Sequence, residues 1–166
     1  MTPGTLDRDA FVARFGPVYE ASPWVAEAVW PAVARGELDD PEALAEAMRE
    51  AVDDAPREAK LELIRAHPQL AVASGAMAEA SVREQRGAGL DRCSPDELTA
   101  FRSLNAAYLA RFGHPFIIAV AGLSRDDILA AFADRLENDA EAEFATAMEQ
   151  IHRIAGFRLA ALFNPG

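Results

Sequence analysis

With 166 residues, of which 51% are hydrophobic and 26% charged, the chain has the size and composition of one globular domain, which excludes a disordered or fibrous protein. We therefore expect a single domain over residues 1–166. The formal net charge of −11 disfavours nucleic acid and anionic membranes as partners, because both are bound through clustered Lys and Arg. The single cysteine, Cys93, excludes an internal disulfide framework.

The first half of the sequence predicts four helices. The first begins after Asp7, the second covers the run WVAEAVWPAVARG, and the third begins after Asp40. The fourth follows Pro56 and is expected to end near His67, because Pro68 lacks a backbone donor and disfavours helical geometry in the residue before it.

The second half predicts four more helices. A short one covers AEASVREQRGAG and ends at Gly87 or Gly89, and Ser94 with Glu97 forms the capping box of a long one that Gly113 ends. Of the last two, one follows Ser124 and the other follows Asn138 or Asp139. The sequence therefore predicts an all-α bundle of about seven or eight helices.

One apolar segment, HPFIIAVAGLS, departs from the helical pattern. Since the sequence offers no second strand with which it could pair, we expect a buried segment that is extended or partly helical. Buried backbone groups need hydrogen-bond partners, and a ligand is one kind of partner. This segment is therefore a candidate wall of a binding site.

No known targeting or spanning signal is found. The N-terminus has neither the basic start nor the apolar core of a signal peptide, and no apolar run reaches the length that crosses a bilayer. We expect a cytoplasmic protein.

The three histidines, His67, His114 and His152, lack the spacing of a zinc motif, so we expect no metal site. His152 is predicted to be exposed on the last helix. His67 has two interpretations: it caps a helix by interacting with the helix dipole, or it transfers protons from a position where the dipole keeps its pKa near neutral. Its position alone leaves both open.

Two further features also have two interpretations each. Ser81, Glu84 and Gln85 are spaced to share one helix face, but Ser81 and Glu84 also fit a capping box that only starts the helix. Arg158 lies in an apolar stretch of the last helix, where a buried guanidinium needs an anion. That anion is either a core carboxylate or a ligand.

Five motifs in order, over about residues 11–162, resemble one family. They are FGPVYEASPWVAE, LIRAHPQLA, SxxEQxxAGL, FxxLNxxYxxRFGxPFIIAVxG and IxRIAxxRL. The family is 2-oxo-4-hydroxy-4-carboxy-5-ureidoimidazoline (OHCU) decarboxylase. The resemblance implies an all-helical homodimer that converts OHCU to (S)-allantoin in urate degradation, with no metal or organic cofactor.

The resemblance also implies site residues. His67 and Glu84 are expected to be catalytic, with His67 in proton transfer and Glu84 orienting it or balancing its charge. The residues expected to bind substrate are Pro68, Ser81, Gln85, Phe116, Ile117, Ile118, Ala119 and Arg158. Two other functions remain to be compared with this one: a non-catalytic helical ligand-binding or interaction domain, and a metal-dependent hydrolase.

Overall fold

A computed structural model describes residues 2–72 and 78–164. Within these ranges the chain forms eight α-helices and no strand, which confirms the predicted all-α class and helix number. The helices are α1 (Arg8–Phe15), α2 (Trp24–Ala34), α3 (Pro41–Asp53), α4 (Arg57–Ala66), α5 (Glu79–Gly87), α6 (Pro95–Phe112), α7 (Arg125–Arg135) and α8 (Ala140–Phe163). The SGAM sequence expected before the fifth helix lies outside the described residues.

Most helices begin where side-chain caps predict. The Asp7 carboxylate accepts a hydrogen bond from the Ala10 amide at 2.8 Å, and Asp139 caps α8 in the same way. Ser94 and Ser124 each form a complete capping box. Each such cap stabilises its helix by roughly 1 kcal/mol, since it satisfies an amide that has no partner within the helix.

Two compact units make up the chain, one of residues 1–66 with 152–166 and one of residues 67–151. We call them unit 1 and unit 2. The boundary falls just before His67 and again within α8, so this helix contributes residues to both units. The expectation of a single domain stays a prediction.

Unit 1 has an aromatic core at its N-terminal end. The helix α2 packs against both α1 and α3. The rings of Phe11 and Phe15 stack at 4.8 Å between centroids, and Trp30 lies 5.5 Å from Phe11. Both phenylalanines are fully buried, so the spacing of apolar residues in the first helix reflects packing.

Unit 2 is built around the long helix α6, which packs against α7. Its hydrophobic cluster includes the fully buried Phe101 and Tyr108 of α6, together with Phe116 and Phe132, whose rings stack at 3.9 Å. Phe101 and Tyr108, seven residues apart, thus form a buried apolar stripe along α6.

The segment 115–120 has no regular secondary structure, and Phe116, Ile117, Ala119 and Val120 within it are buried. The expectation of a buried segment that is not a paired strand is confirmed. Across the described ranges, every helix is too short or too polar to cross a membrane.

Candidate active site

His67 occupies the position that the sequence predicts for it. The helix α4 ends at Ala66, one residue before His67, and Pro68 explains the end of the helix. The histidine is only 7% exposed, which is uncommon for a group that merely decorates a helix end at the surface.

The helix α5 begins earlier than a capping role for Ser81 requires. Its N-cap is Ala78, which makes no side-chain cap, so Ser81 stands in the third helical position. The capping-box interpretation of Ser81 and Glu84 is therefore wrong. Ser81 and Gln85 are buried and Glu84 is half-buried, as expected for one helix face turned inward.

Gln85 holds the backbone that follows His67 and Pro68. Its Nε2 donates to the carbonyl oxygen of Gln69 at 3.3 Å, and its Oε1 accepts from the amide of Ala71 at 3.1 Å. Gln85, a predicted substrate-binding residue of α5, thus contacts the turn that follows the predicted catalytic histidine, His67.

A second amide reaches the same turn from α6. Asn105 Nδ2 donates to the carbonyl oxygen of Leu70 at 3.0 Å. Sequence reasoning missed Asn105, although a signal was present: it is the polar residue within the buried stripe of Phe101 and Tyr108. Leu70 and Phe116 belong to one hydrophobic cluster, so the turn and the candidate binding wall share a core.

The candidate binding wall is itself held by side chains. Arg135 Nη1 donates to the carbonyl oxygen of Ile117, and its guanidinium lies over the Phe116 ring at 4.3 Å. The amide of Ala119 donates to Gln150 Oε1 at 2.9 Å. The Ile117 carbonyl and the Ala119 amide, which were candidates for binding a ligand, therefore have protein partners. A ligand has to bind other groups of the segment.

A buried carboxylate anchors Arg135 in turn. Glu143 is 0% exposed and accepts from Arg135 Nε at 2.7 Å, from the Tyr108 hydroxyl at 2.5 Å and from Asn138 Nδ2 at 3.1 Å. Burial and then the hydrogen bond to Glu143 raise the pKa of Tyr108 well above its usual range, so its hydroxyl stays protonated. Neither Arg135 nor Glu143 was a candidate from the sequence.

Arg158 lies in unit 1 and forms an ion pair there. Its Nη1 is 2.8 Å from Glu20 Oε2, and the side chains are 9% and 4% exposed. The same nitrogen donates to the carbonyl oxygen of Pro17 at 3.3 Å. The core ion pair, one of the two alternatives, is thus present, and contact with an anionic substrate stays a prediction.

The prediction that His152 is exposed is wrong. It is 8% exposed; its Nδ1 bonds the Tyr19 hydroxyl at 2.8 Å and its Nε2 bonds Asp53 Oδ1 at 2.9 Å. The polar neighbours in EQIHR hid its position, since Met148, Ala155 and the histidine recur on one buried face of α8. Tyr19, His152 and Ala155 line a cleft of about 380 Å³ in unit 1.

Two further kinds of site depend on titratable groups, a metal site and a reactive thiol. Among the described residues, no three His, Cys, Asp or Glu side chains are placed to hold a metal ion. Burial raises the pKa of the Cys93 thiol, and its Sγ donates to the carbonyl oxygen of Leu90 at 3.4 Å. A thiol in that state is a poor nucleophile at neutral pH.

The chain is similar to known OHCU decarboxylases. A family model described as OHCU decarboxylase matches residues 4–160. The 2-oxo-4-hydroxy-4-carboxy-5-ureidoimidazoline decarboxylase of Haloferax volcanii is 43% identical over 159 residues, which cover 96% of this chain and 92% of that one. The uric acid degradation bifunctional protein PucL of Bacillus subtilis is 40% identical over 96% of this chain, but that match covers only 31% of the relative.

Solved structures agree with the sequence comparison. A crystal structure of (S)-allantoin synthase has a TM-score of 0.78 at 32% identity, covering 96% of this chain and 52% of that one. A crystal structure of OHCU decarboxylase in the presence of (S)-allantoin has a TM-score of 0.65 at 26% identity, over 75% of this chain and 82% of that one. The fold and the order of motifs around His67 therefore have one explanation: the chain belongs to the OHCU decarboxylase family.

Proposed function

We propose that this chain is a cofactor-independent carboxy-lyase that converts OHCU to (S)-allantoin in urate degradation. The observation that carries the proposal is the family match over residues 4–160, because that span contains all the candidate site residues. The buried His67, next to a turn that Gln85 braces, supports it.

The chemistry requires positioning and protons. When the bond between the ring carbon and the carboxylate breaks, its electron pair passes into the adjacent carbon–nitrogen double bond of the imidazoline ring. The ring nitrogen that receives the electron pair gains a proton, the ureido-bearing carbon gains another and the hydroxyl loses one, so the carboxylate form of OHCU and one net proton give allantoin and one carbon dioxide. Because the ring accepts the electron pair, no external electron sink is demanded.

His67 is the residue to which we assign proton transfer. An imidazole is suited to this task because its ordinary pKa lies near neutral pH. Glu84 orients it or balances its charge. Protonation from one face of the ring sets the handedness of the product.

Ser81 and Gln85 hold the ring and ureido amides in this proposal. The carboxamide of Gln85 retains a second N–H and a second lone pair after bonding Gln69 and Ala71, so bracing the turn and binding substrate are compatible. Pro68 and the segment from Phe116 to Ala119 form the walls. Arg158 supplies a cation toward the substrate while it pairs with Glu20.

The proposal includes a homodimer in the cytoplasm. The alternative is a non-catalytic ligand-binding or interaction domain with the same fold, and a metal-dependent hydrolase is a third function. The three differ in what they predict for turnover and for chelators.

The decisive assay generates OHCU freshly from urate with the two upstream activities, urate oxidation and hydroxyisourate hydrolysis, and follows the circular dichroism of (S)-allantoin. The chain is expected to accelerate its appearance over spontaneous decay, and EDTA is expected to leave the rate unchanged. No acceleration would support the non-catalytic alternative, whereas loss of rate with EDTA would support the metal-dependent one.

The matched variants are His67→Asn and His114→Asn. His67→Asn is expected to lower kcat/KM by roughly 10²- to 10⁴-fold, the usual contribution of a general acid or base. His114 is also buried; its Nδ1 bonds the carbonyl of Pro115 at 3.0 Å and its ring packs against Tyr108 and Phe112. An asparagine amide keeps a donor to Pro115, so His114→Asn serves as the control for the loss of a buried histidine and is expected to keep its activity. Full activity in a folded His67→Asn variant would contradict the assignment.

A further inference from the structure

We propose that Asn105 is a positioning residue for the reaction, and that it acts by holding the turn behind His67. The post-histidine turn comprises Gln69, Leu70 and Ala71. The inference rests on the proposed function, because it takes His67 to be the proton-transfer group.

The side chain of Asn105 is unusual for its surroundings. It is 4% exposed and stands within an aromatic stripe, between Phe101 and Tyr108 on α6. Its Oδ1 is buried and has no hydrogen-bond partner among the described residues. A buried carboxamide with one unpartnered oxygen destabilises a core relative to an apolar side chain of similar size. The residue therefore weakens the packing in which it lies.

What this carboxamide does provide is one directed hydrogen bond. The Leu70 carbonyl only accepts, so the group that faces it at 3.0 Å must be the Asn105 amino group. This fixes the orientation of the side chain and leaves its oxygen in the core. The cost of the buried oxygen follows from the bond to Leu70.

The post-histidine turn needs such a hold. Ala71 has a φ of 58°, in the left-handed region that residues with a Cβ rarely adopt. Strained backbone of this kind persists only when its surroundings determine it more than once. Here Asn105 fixes the carbonyl of Leu70, and Gln85 fixes the carbonyl of Gln69 and the amide of Ala71. Three consecutive residues are thus fixed by two amides from two different helices.

The turn lies close enough along the chain to orient His67. Only Pro68 separates His67 from Gln69, and the proline ring fixes φ at its own position, so few rotatable bonds absorb a movement of the turn. A displacement of about 1 Å in a catalytic group is enough to lower a rate about 10²-fold. Asn105 thus acts on the reaction through the backbone, without contact to the substrate.

The test compares Asn105→Leu with Ile128→Val. Leucine has nearly the shape of asparagine and removes both the bond to Leu70 and the unpartnered oxygen. Ile128→Val removes one methylene from the same hydrophobic cluster, which also contains Leu70, and leaves the hydrogen bond between Asn105 and Leu70 intact. Both are assayed for kcat and KM with fresh OHCU, for melting temperature, and for the imidazole resonances of the three histidines by ¹H–¹⁵N NMR.

For Asn105→Leu we expect kcat to fall at least tenfold with KM within twofold, and a His67 resonance that shifts or broadens while those of His114 and His152 do not. For Ile128→Val we expect kcat to be unchanged. Full kcat in Asn105→Leu, an equal loss in Ile128→Val, or an unchanged His67 resonance would overturn the proposal.

Two provisions keep the test decisive. If Asn105→Leu does not fold, Asn105→Ser takes its place, because the shorter serine hydroxyl cannot reach the Leu70 oxygen. The NMR measurement does not depend on turnover. A wild-type chain without decarboxylase activity would therefore refute the proposed function. An unchanged His67 resonance in the variant would refute only the positioning role of Asn105.

Discussion

Replacing Arg135 by methionine tests how the candidate binding wall is held. The change removes the cation that pairs with the fully buried carboxylate of Glu143 and the donor to the Ile117 carbonyl. Leaving one partner of a buried ion pair uncompensated typically lowers the free energy of unfolding by about 3–5 kcal/mol. Because whole domains have only about 5–15 kcal/mol, the Arg135→Met variant is expected to be close to unfolding.

The second mutation of the cycle is Glu143→Gln, whose effect is expected to change sign with the background. In the wild type it removes the charge that pairs with Arg135 and so destabilises the chain. In Arg135→Met it removes the orphan charge while keeping an acceptor for the Tyr108 hydroxyl, and is expected to restore about 2 kcal/mol. For a chain of this length that corresponds to about 4–8 °C in melting temperature.

Urea unfolding of the four proteins in the cycle measures these free energies directly. If Glu143→Gln destabilises Arg135→Met by as much as it destabilises the wild type, the pairing of Glu143 with Arg135 does not contribute to stability, which would refute the expected change of sign. The double variant also addresses function, because it lacks the donor to Ile117; its KM for OHCU is expected to rise. Tyr108→Phe, which loses a bond to Glu143 but none to Ile117, is the control expected to keep its KM.

Two smaller predictions concern residues away from the candidate site. Ala21 is exposed and has a φ of 47°, so Ala21→Gly is expected to raise the free energy of unfolding by up to about 1 kcal/mol; thermal denaturation with no increase would contradict this. The Ser94 amide and then Arg125 lower the pKa of the Glu97 carboxyl, so its contribution to stability is present above its ordinary pKa of 4.5 and is lost as the pH falls through the lower folded value. Glu97→Gln should therefore melt below the wild type at pH 7 and approach it as the pH falls below 4.5, and a difference independent of pH would exclude this role.

Local chemistry explains why the helices were predicted well. The caps at Asp7, Ser94 and Ser124 and the stop at Pro68 act through atoms within a few residues in the chain. A short stretch of sequence is therefore enough to predict each cap and each helix end. The same holds for the segment after Gly113, whose lack of a partner strand is visible in the sequence.

Side chains whose partners lie far along the chain were missed or misplaced. His152 bonds Asp53, which is 99 residues away, and Arg135 bonds the Ile117 carbonyl, 18 residues away on another element. Polar neighbours made His152 look like a surface residue, and nothing adjacent to Arg135 marks it as buried. Such pairs depend on which helix faces meet, and the spacing along one helix does not contain that information.

The residues around His67 show why the site resisted prediction from spacing alone. Ser81 follows the pattern of a helix cap but lies inside the helix, Asn105 is polar within an apolar stripe, and Ala71 has a backbone conformation suited to glycine. Each of the three residues departs from the local preference for its kind of position, and all three lie in unit 2 with His67. Departures that cost stability are expected to gather where function requires a particular geometry. A helix that ends at proline is common and by itself says little about His67. The strained turn that follows the proline is fixed by two buried amides, and it is a stronger indication that His67 has a functional role.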